Sequence, residues 1–147
     1  GVQTCALPIY IKSNIWLCKQ AMPHMAERGG GSVVIISSIG GLRGSPVIGA
    51  YCISKAADMQ LARNYAVEYG QYGVRTNCIA PGLIRTDFAK ALWDNPQVEA
   101  RYNAMHPMRR IGMPDEIAGA ALLLGSGAGT YINGQTIVVD GGATISG

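Results

Sequence analysis

No block of lysine or arginine stands out in these 147 residues, and the net charge of +3 is scattered along them. That excludes the strongly electropositive footprint of a nucleic-acid or membrane-surface protein. No apolar run reaches the length of a membrane-spanning helix, and no basic start leads into an apolar centre as in a signal peptide. There is no C-x-x-C pair. Cys5, Cys18, Cys52 and Cys78 follow no regular framework, so reduced thiols in a cytoplasmic protein are expected. The two histidines, His24 and His106, have no carboxylate or cysteine at ligand spacing, which speaks against a metal site. Internal repeats and low-complexity tracts are missing too. What is present, 48% hydrophobic residues and 20 glycines, suits a single core-rich α/β domain.

Residues 1–9, GVQTCALPI, carry no initiator methionine and no periodicity, and they resemble the translation of a sequencing-library adapter. They are set aside as a fusion scar would be, and the natural sequence is expected from Tyr10 onward. The apolar spacing over 11–28 predicts a helix, with Pro23 as a candidate kink. Residues 32–38, SVVIISS, are short, apolar and β-branched, as in a strand buried on both faces of a parallel sheet. A loop of small residues follows. Residues 50–69 form the strongest helical pattern, 74–80 a second strand, and 134–140 a third. Pro114 and the acids Asp115 and Glu116 open a helix over 115–124. The stretch 83–113 reads as an irregular, mobile mix. Strand, helix, strand, helix, strand predicts a layered α/β sheet with right-handed parallel crossovers.

Tyr51 and Lys55 are four residues apart on the predicted helix, so they share one face. At about 4 Å and an effective dielectric near 20, the ammonium attracts a phenolate by roughly 4 kcal/mol. A fall of two or three units from a free pKa of about 10 is therefore expected for Tyr51, which suits acid/base work. Ser38 sits at the C-terminal end of the first strand, where open parallel sheets bind ligands. Its hydroxyl, thirteen residues before Tyr51, can hold a carbonyl oxygen for proton transfer. Ser37 is the competing hydroxyl, but strand alternation points the two to opposite faces.

Four stretches carry a resemblance that no single motif would: GGGSVVIISSIGG, YCISKAADMQLARNYAVEYGQYGVRTNCIAPGLIRT, RRIGMPDEIAGAALLLGS and YINGQTIVVDGG. In order and spacing the chain resembles the short-chain dehydrogenase/reductase family. The resemblance implies the C-terminal half of a Rossmann-like doubly wound parallel sheet, spanning 10–147 and about three strands with their crossover helices. It also implies a hydride-transferring oxidoreductase acting on CH–OH groups with NADP or NAD. Tyr51 would be the general acid in reduction and the base in oxidation, Ser38 would polarise the substrate oxygen, and Lys55 would lower the Tyr51 pKa and bind the nicotinamide ribose. Pro81, Gly82, Ile84 and Thr86 match the family's P-G-x-I-x-T segment, whose backbone touches the nicotinamide and whose Thr binds its carboxamide or the diphosphate. Implied partners are a small carbonyl or alcohol substrate and further copies of the chain, in a dimer or tetramer, with no nucleic acid and no membrane.

The 17 residues NCIAPGLIRTDFAKALW resemble the carbonyl and retinal reductase type, with the 3-oxoacyl-acyl-carrier-protein reductases as the alternative. A catalytically silent nucleotide-binding or scaffold protein is the rival from another class. Two departures from the family stand out. Its glycine-rich T-G-x-x-x-G-x-G loop is not in this sequence, nor is the residue that separates NAD from NADP. Its catalytic Asn falls on Tyr10, whose codon is read as a hybrid of adapter and natural bases, while Asn14 reads as an ordinary helix residue. Phe88, Trp93, Met105 and Met108 lie where the family builds its substrate lid. Arg109 and Arg110 read as a solvated pair.

Overall fold

The computed structural model describes residues 7–146. A π-helical turn, Leu7–Lys12, runs into helix α1, Ser13–Glu27. Strand β1, Gly31–Ile36, leads through a 3₁₀ turn, Ile39–Leu42, into helix α2, Gly49–Tyr69. Strand β2 is Val74–Pro81. Two short helices follow, α3 at Lys90–Trp93 and α4 at Pro96–Met105, before α5 at Pro114–Gly125 and strand β3 at Thr136–Val139. The element order matches the sequence reading, with three exceptions. The first helix starts as a π-helix and then continues through Pro23. The third strand is shorter than expected. The stretch 83–113 holds two helices where an irregular segment was expected, and α4 has a readable start: Asn95 accepts a hydrogen bond from the Gln97 N–H, and Pro96 takes the first turn.

The three strands are parallel in the order β1-β2-β3. Gly31 pairs with Val74 through to Ile36 with Ile79, and Cys78 pairs with Thr136 through to Pro81 with Val139. Neighbouring residues on a strand face opposite ways. Val33 joins the cluster of Cys18, Met22, Tyr65 and Val74 under α1 and α2, whereas the Ser32 hydroxyl donates to the Leu124 carbonyl of α5 at 2.8 Å. Helices thus cover both faces, and the chain forms three strands of a Rossmann-like doubly wound sheet.

Met22, Ile79 and Leu124 are completely buried. Each contributes roughly 1.5–3 kcal/mol through the water it sheds. Gly30 and Gly73 sit back to back where both helices hand over to strands. A Cβ on Gly30, at φ +136°, would lie 2.7 Å from the Gly73 carbonyl oxygen. That contact keeps β1 and β2 in register from their first residues, so their C-terminal ends come out together.

Candidate active site

Beyond β1 the chain keeps one more ladder bond, from the Ser37 N–H to the Ile79 carbonyl at 2.8 Å. The two serines then separate as strand alternation predicts. Ser37 is buried and its hydroxyl donates to the Lys55 carbonyl at 2.7 Å, a structural tie. Ser38 accepts from the Gly40 N–H at 3.0 Å, and its hydroxyl meets the edge of the Tyr51 ring over Gly40, where a Cβ would lie 3.4 Å from each. Glycine makes that meeting possible: a Cβ on Gly41 would lie 2.7 Å from the Lys55 carbonyl carbon. The turn therefore rests directly on the backbone of α2.

Lys55 is 6% exposed, and its ammonium donates to the Ile36 carbonyl at 2.9 Å and to Asp58 Oδ2 at 3.1 Å. The Asp58 side chain is wholly buried, and its other oxygen accepts from Asn14 Nδ2 at 2.9 Å. Asn14 is thus no ordinary helix residue. The Tyr10 ring lies 4.4 Å from the Lys55 ammonium and meets the Tyr51 ring edge-on at 5.6 Å between centroids. Position 10 faces the site from within the π-helical turn, the register in which the resemblance places an Asn.

One expectation is reversed. Burial pushes the Tyr51 pKa up, the neighbouring Ser38 hydroxyl opposes that, and Tyr10, Cys52 and, least, Asp58 add to the rise. The Lys55 ammonium is 5.8 Å from the Tyr51 ring centroid, and Asp58, at 3.1 Å, balances its charge. A neutralised ammonium draws little proton from a phenol.

The segment 81–86 leaves the C-terminal end of β2 beside the end of β1. The Gly82 N–H donates to the Val139 carbonyl at 3.0 Å, and a Cβ there would come within 2.8 Å of Asp140 Cα. Ile84 bridges to Gly112, and the Leu83 N–H donates to the Tyr102 hydroxyl at 3.4 Å. Thr86 accepts from the Ala89 N–H at 3.4 Å, and its carbonyl accepts from Trp93 Nε1 at 2.9 Å. The fold thus carries Pro81, Gly82, Ile84 and Thr86 to the same sheet edge as Ser38, Tyr51 and Lys55.

Other readings fare differently. Arg109 and Arg110 are both exposed, as read, but Arg110 is also paired: its guanidinium grips both Glu116 oxygens and, with the Met113 N–H, holds that carboxyl down at about 2. Arg109 takes a positive φ of 55° and donates to the Ala104 carbonyl. Phe88, Met105 and Met108 are exposed, while the Trp93 ring lies 5.0 Å from the Arg85 guanidinium carbon. Cys18, Cys52 and Cys78 are buried free thiols, and Cys5 lies outside the described residues. Among the described residues no three His, Cys, Asp or Glu side chains are grouped to hold a metal, and no helix is long and apolar enough to cross a membrane.

Known proteins share this sequence and fold over most of the chain. Residues 4–144 match the family profile described as enoyl-(acyl carrier protein) reductase. Dehydrogenase/reductase SDR family member 4 of Bos taurus is 44% identical over 93% of this chain and 49% of its own length. The 3-oxoacyl-acyl-carrier-protein reductase FabG of Chlamydia trachomatis is 43% identical over 86% of this chain and 50% of its own. A gluconate 5-dehydrogenase from Burkholderia cenocepacia, solved with NADP and tartrate, superposes with a TM-score of 0.92 at 30% identity over 96% of this chain and 55% of that one. The chain spans about half the length of the curated relatives it matches.

Proposed function

The chain belongs to the short-chain dehydrogenase/reductase family, and on that premise we propose that its full-length protein interconverts a carbonyl and an alcohol by hydride transfer with NAD(P)(H). The observation that carries the reading is the meeting of the Ser38 hydroxyl and the Tyr51 ring over Gly40, beside the buried Lys55 ammonium. In reduction the Tyr51 hydroxyl gives its proton to the substrate oxygen while Ser38 holds that oxygen in line. In oxidation Tyr51 takes the proton back.

The residues present fit the nicotinamide end of the cofactor. An ammonium has three N–H donors, and Lys55 gives two of them to Ile36 and Asp58, which leaves one for a ribose hydroxyl. Thr86 accepts from Ala89, and its own O–H is available to a carboxamide or a phosphate. The bound cofactor supplies the hydride; the protein positions it and manages the proton. With no T-G-x-x-x-G-x-G loop in these residues, the diphosphate falls to the part of the protein that this chain does not span.

Within the family, the carbonyl-reductase type is the preferred reading, supported by the 44% identity to the Bos taurus relative. The 43% identity to FabG supports a 3-oxoacyl-acyl-carrier-protein reductase as the second. Exposed Trp16, Leu17, Ile53 and Val67 on α1 and α2 suit self-association of the full-length protein. An intact Ser38, Tyr51 and Lys55 set argues against a silent scaffold. The test is to follow cofactor absorbance with the full-length protein, NADPH or NADH, and a panel of ketones, retinal and 3-oxoacyl thioesters. Turnover of one class supports the reading, and cofactor binding without turnover of any would contradict it.

A further inference from the structure

A buried carboxylate next to a catalytic ammonium is a costly feature unless it serves the site. Asp58 is wholly buried and both its oxygens are used: Oδ2 by Lys55 at 3.1 Å and Oδ1 by the Asn14 amide at 2.9 Å. Three elements meet there. Asn14 comes from α1, Asp58 and Lys55 from α2, and the Ile36 carbonyl that takes another Lys55 donor is the last residue of β1. Cys78 of β2 closes the cage, its thiol reaching the Asp58 carbonyl at 3.3 Å.

We propose that Asn14 and Asp58 are positioning residues of the active site: Asn14 orients the Asp58 carboxylate, and Asp58 holds the Lys55 ammonium beside Tyr51 while balancing its charge. The inference rests on the roles proposed above for Tyr51 and Lys55. It adds a chain of command, from a helix outside the Tyr-Lys pair to the acidity of the phenol.

The groups facing Lys55 and Tyr51 are Tyr10 from the π-helical turn, Asn14 from α1, Ser38 from the 3₁₀ turn, Cys52 and Asp58 from α2, and Cys78 from β2. Burial first, and the Asp58 charge after it, push the Cys78 thiol up to about 12, so it stays neutral. Asp58 is therefore the countercharge to Lys55 in this group. An unbalanced ammonium would pull the Tyr51 proton off at lower pH; the paired one leaves the phenol protonated and able to serve as an acid.

The test is made on the full-length protein. Tyrosinate absorbance is titrated in the wild type and in Asp58→Asn, each with and without Tyr51→Phe, so that the difference isolates Tyr51. Asp58→Asn keeps the shape and an acceptor for Lys55 but removes the charge. The Tyr51 midpoint is expected to fall by about one pH unit, a tenfold gain in acidity. An unchanged or higher midpoint would overturn the proposal. Asn14→Leu supplies the second arm. It takes one donor from the Asp58 carboxylate and loosens its hold on Lys55, so the Tyr51 midpoint should fall in the same direction by a smaller amount; an unmoved midpoint counts against the proposal. In the Asp58→Asn background Asn14→Leu should move the midpoint no further. The titration does not depend on turnover. A protein that reduces no carbonyl would sink the functional reading while the Tyr51 midpoint still decides this one.

Discussion

The ring of Tyr10 lies 4.4 Å from the Lys55 ammonium, whose other contacts are the Ile36 carbonyl and Asp58. A buried cation over an aromatic face is held by roughly 1–2 kcal/mol. The same ring meets Tyr51 edge-on, so one side chain crowds both members of the proton-transfer pair.

Replacing that ring should release them. In a full-length protein that carries Tyr at position 10, as this sequence does, Tyr10→Asn is expected to raise kcat/KM by about tenfold, equivalent to about 1.4 kcal/mol of barrier. Asn also restores the residue that the family resemblance places in this π-helical turn. Steady-state kinetics of the two proteins side by side measures it, and a lower kcat/KM in Tyr10→Asn would contradict it.

The raised Tyr51 pKa fixes the direction of the pH dependence. The neutral phenol is the acid, so its fraction stays near one below the ordinary value of about 10 and falls only above it. Carbonyl reduction should therefore be flat through neutrality and decline in strong alkali. Alcohol oxidation needs the phenolate and should climb over the same range. A reduction profile that already drops between roughly pH 7 and 8 would show that Lys55 controls Tyr51 after all.

Lys55→Met should injure turnover, cofactor affinity and stability together. It leaves the Asp58 carboxylate buried with only Asn14 as partner, a loss of about 3–5 kcal/mol. Thermal melting, kcat and the cofactor Kd of the full-length variant would all be measured. A stability equal to wild type would mean that Asp58 does not depend on Lys55.

Most of this site was legible in the residues because it is local or follows a strand rule. Tyr51 and Lys55 lie one helical turn apart, Ser38 ends an apolar strand, and alternation alone separated Ser38 from Ser37. Asn14 and Asp58 were hidden for the opposite reason. They meet across 44 residues, and a polar residue on a helix looks solvent-facing until the neighbouring helix is placed over it. The Tyr51 acidity was misjudged chiefly because burial of the phenol opposes its ionisation, with Asp58 a smaller contribution, and neither was in view. Arg110 is solvated as read, but its ion pair was not in view because Glu116 lies six residues on, across the start of α5. The helix at Pro96–Met105 was readable from Asn95 and Pro96, yet a charged, poorly amphipathic stretch gave no periodic signal.

These 147 residues by themselves should hold cofactor poorly. Lys55 and Thr86 meet only its nicotinamide end, and β1 forms one edge of the sheet, with Val33, Val34, Ile35 and Ile36 lining an open trough of about 500 Å³. Such an edge invites association with other chains. Isothermal titration of the purified chain with NADPH is expected to give a Kd weaker than about 1 mM. A soluble monomer binding at micromolar concentration would refute the division of labour proposed for the cofactor.

Tyr51→Phe in the full-length protein probes the proposed chemistry most directly. The change removes one oxygen, keeps the ring against Gly40 and Tyr10, and leaves Lys55 with Asp58. Loss of a positioned general acid costs on the order of 10²–10⁴ in rate. The predicted result is a kcat for carbonyl reduction lower by about that factor, with cofactor Kd unchanged. A kcat within a few-fold of wild type would contradict the assignment of the proton to Tyr51.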